Sequence, residues 1–248
     1  MGVEVFIFNP VHEYVNRLHF NYRDHRKIAC IDGDVAYTGG VNIADEYANI
    51  IERFGYWKDS GVCLEGEGAW GLTASFIRMC VNLGGVMHNE HDYYRPHTPV
   101  KSEGFCQPFT DGPQNNPDNP AEDVFLQMIS GARRFLYITT PYFIPDESLM
   151  RALCIAGDGG VDVRLMLPGK PDHWYADCVA ESYFGELIKH GVKVYRYTPG
   201  FLHGKSIMVD REAAFVGSAN MDYRSFELDY ECGVMVYSVP MIESLLED

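Results

Sequence analysis

The sequence predicts an α/β protein built from two related domains. Three observations lead there: a polar motif that occurs twice, strands alternating with helices ahead of its second copy, and a stretch rich in turn formers between the copies. His25-Arg26-Lys27-Ile28-Ala29-Cys30-Ile31-Asp32 recurs as His203-Gly204-Lys205-Ser206-Ile207-Met208-Val209-Asp210. Gly39-Gly40-Val41-Asn42 then matches Gly217-Ser218-Ala219-Asn220, so that Lys stands at +2, Asp at +7 and Asn at +17 from each histidine. The copies lie 178 residues apart, far beyond the period of a solenoid, so the repeat is a domain duplication.

The elements follow in order. Gly2-Val3-Glu4-Val5-Phe6-Ile7-Phe8 alternates like a strand and matches Gly191-Val192-Lys193-Val194-Tyr195-Arg196-Tyr197. Ahead of the second copy, residues 135–140 and 161–168 read as strands, and 147–156 and 174–190 as helices. Such alternation builds a largely buried sheet. No such run precedes Gly2, so the chain is expected to begin midway through its first domain, leaving that domain incomplete. A helix over about 69–83 closes the first domain. From Asn89 to Ala121 the composition turns to His, Tyr, Pro, Asn and Gly, and Asp111-Gly112-Pro113-Gln114-Asn115-Asn116-Pro117 is dense in turn formers. The first domain is therefore placed at 1–100, a linker at 101–120 and the second domain at 121–248.

Composition narrows the chemistry. With 46% hydrophobic residues among 248 the chain can build a core, which excludes disorder. Thirty-five acidic against 20 basic residues give a formal charge of −15. That balance argues against a protein that grips the nucleic-acid backbone, although local cations can still create a small anionic site. The seven cysteines are scattered without a CxxC pair. They read as reduced thiols facing a cytosolic compartment rather than as a zinc site or disulfide framework. No apolar run reaches membrane-spanning length.

Side chains two apart on a strand share a face, so each H-x-K is expected to set an imidazole beside an ammonium. Asp32-Gly33 signals a hairpin turn at the end of the first such strand, and Asp210 ends the second. The Gly/Ser-x-Asn that follows brings a small residue and an amide to the same place. Two units meeting across a pseudo-twofold axis would surround one cleft with His25, Lys27, Asn42, His203, Lys205 and Asn220, together with Gly40 and Ser218. Such a cleft suits a phosphodiester. One imidazole attacks phosphorus, the other protonates the leaving oxygen, and the lysines and asparagines hold the non-bridging oxygens. No cofactor and no metal is called for. Asp32 and Asp210 complete the candidate catalytic set. Aligning Asp59-Ser60-Gly61-Val62 with Glu231-Cys232-Gly233-Val234 offers Asp59 to orient His25 and Glu231 to orient His203, with six extra residues between Asn and carboxylate in the first copy.

A lone H-x-K on a strand carries no meaning; two copies in register do. Other candidates are weaker. His88-Asn89-Glu90-His91 has zinc-like character but no further ligand near it, and reads as a solvated loop. Gly66-Glu67-Gly68 and Gly157-Asp158-Gly159-Gly160 read as turns, since neither has a lysine in a strand–loop–helix setting. The aromatics of Thr140-Pro141-Tyr142-Phe143-Ile144-Pro145 follow a strand and read either as core alone or as cleft lining.

The duplicated pattern resembles the phospholipase D superfamily, and finer features resemble bacterial cardiolipin synthases. These include Asn21-Tyr22-Arg23-Asp24, Asn42-Ile43-Ala44-Asp45-Glu46-Tyr47, Phe54-Gly55-Tyr56-Trp57-Lys58-Asp59 and Thr140-Pro141-Tyr142-Phe143-Ile144-Pro145. Pro168-Gly169-Lys170-Pro171-Asp172 and Asn220-Met221-Asp222-Tyr223-Arg224-Ser225-Phe226-Glu227 extend the likeness through nearly the whole chain. The resemblance implies two pseudo-twofold-related phospholipase D-like α/β/α sandwich domains, the first incomplete. It implies a phosphatidyltransferase that joins two phosphatidylglycerol molecules into cardiolipin and releases glycerol, through a phosphatidyl-histidine intermediate. Its partners would be phospholipids and a membrane surface, at the bacterial cell membrane, and not nucleic acid. A hydrolytic phospholipase D shares the motif, with water as the acceptor. A superfamily nuclease fits the acidic balance less well, and a degenerate scaffold would not keep both motifs intact. Family members usually carry N-terminal transmembrane helices and a C-terminal extension, and this sequence shows neither.

Overall fold

The computed structural model of the chain describes residues 2–10, 21–87, 94–102, 104–113, 119–237 and 239–248. Its first half holds β1 (Arg23–Asp24), β2 (Ile28–Ile31), β3 (Val35–Gly39), β4 (Tyr56–Lys58), β5 (Gly61–Glu65), α1 (Trp70–Asn82) and β6 (Phe105–Asp111). The second half begins with α2 (Pro120–Gly131), β7 (Phe135–Thr139), β8 (Phe143–Ile144), α3 (Glu147–Asp158), β9 (Asp162–Pro168) and α4 (Trp174–Lys189). It continues through β10 (Lys193–Tyr197), β11 (Gly200–Leu202), β12 (Ser206–Val209), β13 (Ala213–Gly217), β14 (Met221–Asp222), α5 (Tyr223–Glu227), β15 (Asp229–Tyr237) and α6 (Val239–Glu247).

The main sheet runs β15-β13-β12-β7-β9-β10, with β1 and β6 sharing the outer edge of β15. Its strands alternate between two cores, as the period-2 pattern of a strand requires. Ile207, Val209, Phe215, Met235, Leu136 and Ile138 face α2, α3 and α4. From the opposite face, Met208 and Ala214 meet α6 through Ile242, and Val216, Val234 and Val236 meet a second sheet, β2-β3-β5, through Ala36, Val62 and Leu64. The helices and strands expected over 135–197 are present, with ends shifted by a few residues.

Two expectations are corrected. Residues 2–8 form no strand. Val3, Val5 and Ile7 are exposed, and alternation alone does not make a strand where no described neighbour offers a ladder. The expected linker at 101–120 carries β6, paired antiparallel along Glu231–Tyr237 of β15. Pro108 hid it, because proline is tolerated only where a strand has a free edge, and β6 has one partner. The turn reading of Gly66-Glu67-Gly68 becomes a short 3₁₀ turn leading into α1, and Gly157-Asp158-Gly159-Gly160 is the end of α3. His88-Asn89-Glu90-His91 lies outside the described residues.

Both motif strands end in tight turns with two consecutive positive φ angles, Asp32 and Gly33 at 52° and 76°, Asp210 and Arg211 at 53° and 61°. These are the hairpin turns whose twist matches the strands, and they join β2 to β3 and β12 to β13. Asp32 is exposed at the tip of its turn. Asp210 is buried, and its carboxylate accepts the backbone N–H groups of Arg133, Arg134 and Phe135 at 2.7–2.8 Å. Burial works to raise its carboxyl, but those three amides outweigh it and hold it below the usual range. The second aspartate thus fastens the α2–β7 turn at the end of β12 away from His203, and neither aspartate joins the histidines, contrary to the catalytic roles expected from their spacing. Asp210→Ala is expected to cost about 2–4 kcal/mol in urea denaturation, since three amides lose a charged acceptor. Asp32→Ala should stay within about 0.5 kcal/mol; equal losses would remove the structural role assigned to Asp210.

Candidate active site

The two copies meet by exchanging strands. β11 runs parallel to β4, with Leu202 opposite Lys58, and β1 runs parallel to β15, with Asp24 opposite Tyr230. Each ladder continues by one bond, from His203 N–H to the Lys58 carbonyl at 2.7 Å and from His25 N–H to the Tyr230 carbonyl at 2.9 Å. The residue after each carbonyl is a carboxylate. His203 Nδ1 therefore meets Asp59 Oδ2 at 2.8 Å, and His25 Nδ1 meets Glu231 Oε1 at 2.9 Å. Asp59 and Glu231 each meet a histidine Nδ1, but the pairing crosses between copies, the reverse of the within-copy assignment. Sequence alignment equates Asp59 with Glu231, whereas the ladders make each the neighbour of the other copy's histidine.

The histidines and lysines precede β2 and β12 rather than lying within them. Each lysine folds back, so that Lys205 Nζ donates to the His203 carbonyl at 2.5 Å and Lys27 Nζ donates to the His25 carbonyl. Burial sets the electrostatics. Lys205, 1% exposed, is pushed down to about 7 by desolvation, against the pull of Asp59 and with the help of Lys27. Desolvation also lowers Lys27, opposed first by Glu231. Burial and then the Lys205 charge push His203 down to about 4. Its imidazole is therefore neutral near pH 7, and with Nδ1–H donated to Asp59 its Nε2 carries a free lone pair. Burial works to raise Glu231, but the hydrogen bond and charge of His25, the Ser218 hydroxyl and Lys27 outweigh it and keep the carboxyl low.

The small motif residues serve these carboxylates. Ser218 Oγ donates to Glu231 Oε2 at 2.5 Å. A Cβ on Gly40 would lie 2.1 Å from Asp59 Oδ1 and 2.9 Å from the His203 carbonyl, so a side chain there would displace the carboxylate. Asn220 is buried and turns its backbone N–H to Ser225 Oγ at 3.0 Å; half-buried Asn42 donates to Tyr47 Oη at 2.5 Å. His25, Asp229 and Glu231 offer ligand atoms within 4.8 Å of one another. Glu231 is already held by His25 and Ser218, and Asp229 by Arg224 Nε at 3.1 Å.

Several residues at the site fall outside the repeat. Tyr47 stands edge-on to His203 with ring centroids 5.2 Å apart, and Trp57 lies against the same ring at 5.2 Å. Both belong to the connection between Asn42 and Asp59, six residues longer than its counterpart between Asn220 and Glu231. Ser60 Oγ accepts the Lys205 N–H at 3.2 Å. Tyr142 donates to Asp172 Oδ2 at 2.6 Å while Phe143 enters the core, so the aromatics after β7 divide between the two fates.

An α/β scaffold that crosses two H-x-K segments onto each other's carboxylates defines a duplicated phospholipase D-like protein. A family model described as "Cardiolipin synthase, PLD-like domain" matches residues 125–248, half of the chain, and the chain belongs to that family. It is 41% identical to a cardiolipin synthase of Halalkalibacterium halodurans over 249 residues, covering 100% of this chain and 49% of that protein. It is also 41% identical to a cardiolipin synthase of Listeria monocytogenes over 228 residues, covering 91% and 47%. The chain thus spans about half the length of the curated relatives it matches. The solved phosphatidylserine synthase of Haemophilus influenzae shares the fold at a TM-score of 0.65 and 16% identity, over 91% of this chain and 60% of that one.

The crossed pairing has a direct test in the imidazole protons. Asp59→Asn should abolish the downfield Nδ1–H resonance of His203 and keep that of His25, and Glu231→Gln should do the reverse. Because Asp59 raises His203 against burial and Lys205, its neutralisation should also move the His203 titration further below about 4. Loss of the His25 signal in Asp59→Asn would restore the within-copy pairing.

Proposed function

We propose that the chain acts as a phosphatidyltransferase of the cardiolipin synthase type, at a membrane surface, joining two phosphatidylglycerol molecules with release of glycerol. The observation that carries this reading is the pair of crossed imidazole–carboxylate couples beside two buried or half-buried lysines. Each couple leaves one ring nitrogen for chemistry. In the first half-reaction one Nε2 attacks phosphorus, the bond to the departing glycerol oxygen breaks, and the other imidazolium gives that oxygen its proton. In the second, a hydroxyl of another phosphatidylglycerol gives its proton to that imidazole and attacks phosphorus, and the phosphorus–nitrogen bond breaks. Lys27, Lys205, Asn42 and Asn220 stabilise the charge gathering on the non-bridging oxygens. The formal charge of −15 disfavours a nucleic-acid substrate. Among the described residues no helix is long and apolar enough to cross a membrane, so contact between these residues and a bilayer would be peripheral.

Incubation with phosphatidylglycerol vesicles, read by mass spectrometry, should yield cardiolipin and glycerol in equal amounts, without loss in a chelator. His25→Ala and His203→Ala should each lower the rate by about 10³-fold or more, the range of a lost acid–base or nucleophilic group. Phosphatidic acid as the sole lipid product would identify a hydrolytic phospholipase D, and recovery of a chelator-inhibited rate by a divalent ion would overturn the mechanism.

A further inference from the structure

Among the described residues, Trp57 Nε1, Asn220 Oδ1 and Asp172 Oδ1 are buried without a hydrogen-bond partner. All three belong to segments at the catalytic cleft. Trp57 packs on His203, and Asn220 is part of the repeated motif. Asp172 follows the end of β9 and is tied by Oδ2 to Tyr142, which directly precedes β8. β8 pairs with β14 immediately after Asn220, and Thr140 Oγ1 accepts the Met221 N–H at 3.1 Å, so Tyr142 and Asp172 stand beside the Asn220 segment. From the other copy, the Tyr47 phenol that faces His203 feels the charges of both Asp59 and Asp172.

A phosphodiester monoanion has no hydrogen to donate, and a carboxylate is an acceptor whichever way it turns. Asp172 Oδ1 cannot be satisfied by the phosphate that the lysines attract, whereas a hydroxyl of the other reactant can donate to it. We propose that Asp172, held by Tyr142, is the specificity-determining group for the acceptor alcohol, its Oδ1 taking a hydrogen bond from the second hydroxyl of a vicinal diol such as a glycerol headgroup. The neighbouring hydroxyl is then directed at phosphorus. It forms the new P–O bond as the P–N bond to histidine breaks, and its proton passes to the other histidine. Water and simple alcohols lack the second hydroxyl and are not held.

This inference rests on the phosphatidyltransferase reading, and competition separates the two. Phosphatidylglycerol in detergent micelles is offered deuterated glycerol, 1-propanol and ethanolamine together, and the phospholipid products are resolved by mass. The wild-type chain should favour glycerol over propanol, and Asp172→Ala should lower that ratio about tenfold or more, the scale of a lost hydrogen bond to a charged group. Asp172→Asn keeps the volume should the alanine variant fail to fold, and should lower the ratio at least about threefold. Tyr142→Phe removes the partner but keeps the carboxylate, and should retain most of the preference. An unchanged ratio in both Asp172 variants, an equal collapse in Tyr142→Phe, or a wild-type preference for ethanolamine overturns the diol site alone. Failure of the wild-type chain to turn over any phospholipid would overturn the transferase reading and the site with it.

Discussion

The crossing of the two imidazole–carboxylate couples is the constraint on which the rest of the site depends. An imidazole is aimed when its Nδ1 is fixed, and here each Nδ1 is held by a carboxylate 144 or 206 residues away in sequence. Neither copy can assemble a working imidazole alone. The short parallel ladders between β11 and β4 and between β1 and β15 are therefore what sets up both imidazole–carboxylate couples, although they contribute only a few backbone bonds. They set each histidine one residue beyond a carbonyl of the opposite copy, and the carboxylate follows at the next position.

Burying so many ionisable groups together has consequences. An isolated buried charge is costly and shifts toward neutrality, and Lys205 and His203 both move that way under desolvation. The site is thus short of positive charge until an anion enters. An anion entering there would supply counter-charge and favour the protonated form of Lys205. The same environment keeps the His203 imidazole neutral, so its Nε2 lone pair is available without prior deprotonation.

Much of this was legible in the sequence because the duplication supplies its own control. One H-x-K is noise, but agreement of His25, Lys27 and Asn42 with His203, Lys205 and Asn220 marks the positions under constraint. The strands and helices of residues 135–197 were legible for another reason: they are long, periodic and buried on one face, so local pattern and tertiary environment agree. What failed was non-local. The partners of Asp59 and Glu231 were exchanged because register between strands of different copies leaves no trace in either copy's pattern. β6 was hidden by Pro108, and residues 2–8 showed a strand's alternation without a strand's neighbours. Tyr47, Trp57 and Asp172 entered only through the family resemblance, because none belongs to the repeated motif that marked the other site residues.

Those differences show that the two halves of the site are not interchangeable. Asp59 is a methylene shorter than Glu231, and its second oxygen accepts the Ser60 N–H at 2.8 Å while standing against Gly40. Glu231 reaches further, and its second oxygen accepts the Ser218 hydroxyl. Glycine accompanies the short carboxylate and serine the long one, so each small residue is chosen by the carboxylate beside it. The following positions differ in the same way, for Ser60 Oγ accepts the Lys205 N–H whereas Cys232 Sγ lies 3.1 Å from Thr38 Oγ1. The oxygen acceptor and the softer sulfur hold otherwise equivalent lysine segments, one fully buried and one partly open. His25 and His203 thus share one geometry in unequal surroundings, set by Glu231–Ser218–Cys232 on one side and Asp59–Gly40–Ser60 on the other.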